Sequence, residues 1–177
     1  MTDPFREPVS ARIADCRQGN VGLRMCGGTT TAEATQVGYT IEASREAAVH
    51  PAAIFAAYVD PSTWSVWGHN VRWAKADGPL AEGTTVDIRP KYPVTYHCRV
   101  LRLVPDRMLR IAVNPIGMRI VNVYEVVPTA GGSRIRHAFE VSGPLSGPLR
   151  WLGVARAYRA SLDDEIKHLI EFVQTRC

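Results

Sequence analysis

Leu149 through Val173 is the one stretch of this chain with a long, sustained helical period, and it constrains everything else. Leu152, Ala155, Tyr158, Leu162, Ile166, Leu169, Ile170 and Val173 recur at three- and four-residue steps, with Arg156, Arg159, Asp163, Asp164, Lys167 and Glu171 falling mostly between them. As a helix it would run roughly 38 Å at about 1.5 Å per residue, enough to cross a small domain. Burying about seven large side chains is worth on the order of 10 to 20 kcal/mol before chain entropy is subtracted. The rest of the chain must therefore supply a surface that receives this apolar stripe.

That surface reads as a sheet. From Gly38, Tyr39, Ile41 and Ala43 alternate with Thr40, Glu42 and Ser44, the period of a half-buried strand. His50-Pro51 opens a helix whose apolar face is Ile54, Phe55 and Tyr58, because proline is tolerated in a first helical turn. Asp60-Pro61-Ser62 starts a second short helix, with Asp60 as its cap, carrying Trp64 and Trp67. Six strand-like runs follow: 70–76, 84–91, 94–104, 108–113, 118–127 and 133–142. Turn residues such as Asp77-Gly78-Pro79, Pro105-Asp106, Asn114-Pro115 and Gly131-Gly132 separate them. Connections this short favour an antiparallel meander, since parallel pairing needs crossovers of a dozen or more residues.

The 177 residues suit one domain with a sizeable core, preceded by a stretch of different character. Residues 1–37 are broken by Pro4, Pro8, Gly19, Gly22, Gly27 and Gly28 and hold few large apolar side chains, so they are expected to be a flexible extension before a domain spanning 38–175. The net charge of +4 is mild. Arg99, Arg102, Arg107 and Arg110 resemble a nucleic-acid patch, but simple strand alternation sends Arg99 and Arg102 to opposite faces, which disfavours that partner. The four cysteines are scattered and include no C-x-x-C pair, so free thiols in a cytoplasmic protein are expected. No apolar stretch approaches the roughly 20 residues of a membrane span.

The order strand, two helices, six strands, helix resembles the SRPBCC or START-like helix-grip superfamily, in its polyketide cyclase/dehydrase-like branch. The resemblance runs from about Gly38 to Val173. It is carried by Val49-His50-Pro51, by the segment Asp60-Pro61-Ser62-Thr63-Trp64-Ser65-Val66-Trp67, by the turn at Pro105-Asp106, by Tyr124-Glu125-Val126-Val127-Pro128 and by Gly132-Ser133-Arg134-Ile135-Arg136-His137. It implies an α+β fold in which a seven-stranded antiparallel sheet wraps around the long C-terminal helix. Two short helices lie between strands one and two, and a cavity for an apolar ligand lies between sheet and helix.

Within such a cavity, alternation on the last strand turns Ile135, His137, Phe139 and Val141 towards the helix. His137 is then the candidate catalytic residue, an inward imidazole able to move a proton; the competing reading is a core histidine satisfied by a neighbouring hydroxyl. Trp67 and Trp64 are candidates for an aromatic wall, and Tyr96, Tyr124, Phe139, Leu152, Ala155 and Tyr158 for further ligand contacts. Arg89, Arg119 and Arg159 are candidate partners for a ligand carboxylate. No metal-ligand spacing, P-loop, G-x-G-x-x-G or G-x-S-x-G pattern occurs, so neither metal nor cofactor is expected.

Three functional readings follow. The first is binding of a small hydrophobic molecule, a lipid, a polyketide or a similar aromatic compound. The second is a cofactor-independent cyclase/dehydratase, which requires at least two convergent polar groups, such as His137 with Tyr96 or an inward arginine. The third is a regulatory protein that binds a macromolecule.

Overall fold

The computed structural model describes residues 38–147 and 154–176 of the chain. Its elements are β1 (Tyr39–Ala47), α1 (Pro51–Val59), a 3-10 turn (Pro61–Thr63), α2 (Trp64–Trp67), β2 (Val71–Ala76), β3 (Thr85–Pro90), β4 (Tyr96–Val104), β5 (Met108–Val113), β6 (Arg119–Thr129), β7 (Gly132–Ser142) and α3 (Val154–Gln174). The seven strands form one antiparallel sheet in the order β1-β7-β6-β5-β4-β3-β2. This is the antiparallel meander expected from the short connections and the helix-grip arrangement that the family resemblance implies, with every strand of the expected set present.

Local chemistry explains the boundaries. His50 caps α1, its Nδ1 accepting from the Ala52 N–H at 3.3 Å, and Pro51 fills the first helical position where an N–H would be unpartnered. Asp60 ends α1 and begins the next turn, accepting from the Ser62 N–H at 3.1 Å and the Ser62 hydroxyl at 2.6 Å. Gly132 takes φ +140° at the start of β7, where a Cβ would come within 2.2 Å of the Ala47 carbonyl oxygen; only glycine lets β1 and β7 approach there.

A β-bulge alters one expectation. The β4–β5 register shifts between Val100 and Arg102, so Arg99 lies opposite Ala112 and Arg102 opposite Arg110. The extra residue places Arg99 and Arg102 on the same outer face, not on opposite faces as regular alternation requires. Carboxylates answer part of that charge: Arg110 pairs with Glu140 at 2.5 Å, and on β7 Arg136 bridges Glu42 and Glu125 at 2.6 and 2.7 Å.

The inner face is not uniform along the strands. Where α3 ends, Ile166, Leu169 and Val173 are buried against Val100, Leu109, Ile111, Val126 and Ile135, and Leu162 is 1% exposed. Towards the start of α3 the inner face loosens: Val113, Ile120, Asn122 and Phe139 are only half-buried, and Tyr158 is 44% exposed. The loops at this end carry Tyr92, Val94, Ile116 and Leu145, all exposed apolar side chains. Leu145 donates its N–H to the Gly117 carbonyl at 3.2 Å, so two of these loops meet.

Candidate functional site

Between the tight and the loose end lies a cluster of polar and aromatic side chains drawn from five elements. His137 sits on the inner face of β7 with no exposed surface. Its Nε2 is 2.9 Å from the Tyr58 hydroxyl of α1, and its Nδ1 is 3.0 Å from the Glu165 carboxylate of α3. A carboxylate can only accept, so Nδ1 carries the proton that faces Glu165; in the neutral ring Nε2 then accepts from Tyr58. Burial first, and the negative charge of Glu165 next, push the Tyr58 hydroxyl well above its usual range, which keeps it a donor.

Aromatic rings enclose this array. Tyr124 of β6 packs edge-on to His137 with centroids 4.8 Å apart, and Tyr58 lies 5.4 Å from Tyr124. Trp67 stands 6.2 Å from both Tyr124 and His137. Burial, followed by the charge of Glu165, also holds the Tyr124 hydroxyl well above its usual range. The imidazole thus has both nitrogens engaged, and the ring surfaces around it are aromatic.

The expected site residues separate into groups. His137, Trp67 and Tyr124 come together. Trp64 packs beneath them, 3% exposed, donating its indole N–H to the Tyr58 carbonyl at 3.2 Å. Tyr96 lies on the inner alternation of β4 opposite Ile88, at the loose end, with its hydroxyl 3.3 Å from that of Tyr92. Phe139 and Tyr158 meet edge-on at 5.7 Å, also at the loose end. Burial leads, and hydrogen bonding to Tyr96 and the proximity of Tyr96 and Tyr158 add, in raising the Tyr92 hydroxyl. Leu152 and the side chain of Ala155 lie outside the described residues.

His137 does not converge with Tyr96 or with an inward arginine. The groups it meets are Tyr58 and Glu165, neither of which the sequence reading singled out as a site residue. The available signal was Glu165 itself: it falls three residues after Leu162 and four before Leu169, a carboxylate on the helix's apolar stripe. Arg89 is opposite Trp73 on the outer alternation and donates to the Thr95 hydroxyl at 3.0 Å. Arg159 is exposed, and Arg119 lines a groove of about 540 Å³ on the outer side with Leu101, Arg110, Val121 and Glu140. Neither Arg89 nor Arg119 lines the inner face.

Among the described residues no group of three metal-ligating side chains is placed to hold an ion. Cys98 is buried on the inner face, and burial pushes its thiol up to about 12, far from the range of a nucleophilic thiolate. No helix of the described residues is long and apolar enough to cross a membrane.

Over residues 39–173 the sequence matches the family described as polyketide cyclase/dehydrase and lipid transport. The chain belongs to that family. No curated protein matches it. Solved structures agree in fold: a Staphylococcus aureus protein of unknown function, SA2116, is 12% identical over 80% of this chain and 97% of its own, with a TM-score of 0.66. A Thalictrum norcoclaurine synthase point mutant, bound to a transition-state analogue, is 15% identical over 80% of this chain and 98% of its own at TM-score 0.61. The di-domain ARO/CYC protein StfQ of the steffimycin biosynthetic pathway is 12% identical over 78% of this chain and 51% of its own at TM-score 0.64. At such identities the likeness concerns the fold.

Proposed function

We propose that this protein binds a small hydrophobic or aromatic molecule between the inner face of the sheet and the first half of α3. The observation that carries this reading is the change in packing along the inner face. Leu162, Ile166 and Leu169 are each at most 1% exposed, whereas Tyr158, on the same helix, is 44% exposed and meets the Phe139 ring at a centroid distance of 5.7 Å. Apolar walls that do not close on one another are where small molecules bind. Family membership and the biosynthetic context of StfQ support a ligand of polyketide or lipid type. Scattered cysteines support a cytoplasmic setting.

A thermal-shift and native mass-spectrometry screen with quinones, sterols, fatty acids and aromatic polyketides tests the proposal. A ligand present at 100 times its Kd stabilises the folded state by about 2.7 kcal/mol, so a binder raises Tm by several degrees. No shift with any class, and no molecule carried through purification, would overturn it.

The Tyr58–His137–Glu165 array favours a second reading, a cofactor-independent cyclase/dehydratase. It holds an imidazole between a phenol and a carboxylate, the elements of an acid/base relay, beside the Tyr124 ring. Binding stands first because both imidazole nitrogens already have protein partners.

A further inference from the structure

We propose that the three loops at the loose end of the sheet form a docking surface for an anionic lipid bilayer, with Val94, Ile116 and Leu145 entering the headgroup region and Lys91 and Arg119 facing its negative charge. This surface is a site beyond the ligand-binding reading and stands without it.

β3, β5 and β7 end where β4 and β6 begin, so the antiparallel order brings loops 91–95, 114–118 and 143–147 to one end of the sheet. Each loop carries a proline followed by an exposed aliphatic residue: Pro93-Val94, Pro115-Ile116 and Pro144-Leu145. Ile116 is 95% exposed. Among the described residues seven large apolar side chains are exposed, and these three, Tyr92 and Tyr158 are five of them. Single exposed apolar residues are ordinary, but such a concentration at one end marks an interaction surface. The loops also suit a poorly hydrated layer. Proline brings no N–H to the tip, and neighbouring polar groups are already bonded: the Val94 N–H to the Tyr92 carbonyl at 2.8 Å, the Met118 N–H to the Pro115 carbonyl at 3.0 Å and the Ser146 hydroxyl to the Gly143 carbonyl at 2.6 Å. Leu145 lies over Gly117, where a Cβ would come within 2.7 Å of its side chain, so the Ile116 and Leu145 tips are held together.

Charge decides which surface these loops meet. Loops 91–95, 114–118 and 143–147 contain no acidic residue. Lys91 is exposed in the first, its ammonium anchored on the His69 carbonyl at 2.8 Å, a neutral partner that leaves its charge intact. Arg119 follows the second and is exposed. Between Glu140 and Asp163 the sequence holds three arginines and no acid. A second copy docking through the same loops would set these cations against their own counterparts, whereas anionic headgroups answer them. Tyr92, exposed beside Lys91, has the apolar ring and polar tip that settle at a headgroup boundary. A fluid bilayer also closes around separate tips, which a rigid partner could do only with a matching shape.

Co-sedimentation of the full chain with vesicles tests the proposal, at a salt concentration of about 0.15 M that screens diffuse attraction between a basic protein and lipid. Phosphatidylcholine vesicles containing about one-third phosphatidylglycerol should bind the protein at least about 10-fold more tightly than phosphatidylcholine alone. Ile116→Ser should weaken binding to the mixed vesicles by about 10-fold and leave Tm unchanged, since that side chain is 95% exposed. Lys91→Gln should cost about 5-fold there, and Lys75→Gln, which removes the same charge from β2, less than about 2-fold. Val127→Ser, an exposed apolar change at the far end of β6, should leave binding unaltered. Failure to sediment with the mixed vesicles, equal binding to both kinds, or binding indifferent to Ile116→Ser would overturn the proposal. Self-association without lipid that Ile116→Ser abolishes would assign the loops to a second copy and overturn it as well.

Discussion

The two ends of the inner face are built from the same strands and the same helix, yet they do opposite things. At the end held by Ile166, Leu169 and Val173, side chains interlock with Leu109, Val126 and Ile135 and leave almost no surface. At the end held by Tyr158, aromatic and polar residues of the inner face are only half-buried, and the loops there carry exposed apolar side chains. The difference teaches where the fold spends its stability. Close packing at one end can hold the sheet and helix together, which frees the other end from that task. The Tyr58–His137–Glu165 array marks the transition, buried like the first end and polar like the second.

Truncations along this axis should give a graded series in denaturant unfolding. Ile166→Ala and Leu169→Ala should each cost about 2 to 5 kcal/mol, because a fully buried aliphatic group leaves a cavity. His137→Ala should cost about 1 to 3 kcal/mol, as it strands the Tyr58 hydroxyl and the Glu165 carboxylate. Tyr158→Ala should cost less than about 1 kcal/mol, since much of that ring already meets solvent. Equal costs at Ile166 and Tyr158 would break the comparison.

A smaller, pH-dependent effect sharpens it at the sheet edge. Arg45 on β1 grips Asp163 on α3 and, mainly through that hydrogen-bonded pairing, holds the Asp163 carboxyl below its ordinary value of 3.8. A carboxyl whose folded pKa is depressed stabilises the fold at pH above its unfolded value, and that contribution is lost as pH falls through the folded one. The stability gap between the parent and Asp163→Asn should therefore be full at neutral pH and shrink on acidification below about 3.8. Both side chains are substantially exposed, so the gap should also narrow with added salt. A gap independent of pH would assign the tie to packing instead of charge.

Much of the fold was legible because its signals are local. Alternation in Tyr39–Ser44 and Ile135–Val141, turn residues such as Pro105-Asp106, and the period of α3 each determine an element without knowledge of its neighbours. The bulge beside Leu101 was not legible, since one inserted residue depends on how β4 pairs with β5, and it reversed the facing of Arg102 relative to Arg99. The site was half legible. Strand period turned His137 inward, but its partners come from positions 79 residues earlier and 28 residues later. Tyr58 looked like one more apolar residue on α1, and Glu165 like one more charge on α3. Only packing those helices onto β7 gives the imidazole two partners.

The central claim is that ligands occupy the loose end of the inner face and not the tight one. Intermolecular NOEs between a molecule that binds in the thermal-shift screen and the labelled protein test it most directly. We predict contacts from the ligand to the rings of Tyr124, Phe139 and Tyr158 and to the methyls of Val113 and Ile120, with none to Ile166, Leu169 or Val173. Contacts to the latter three, or to the outer-side residues Leu101 and Val121 in place of the inner set, would contradict the account.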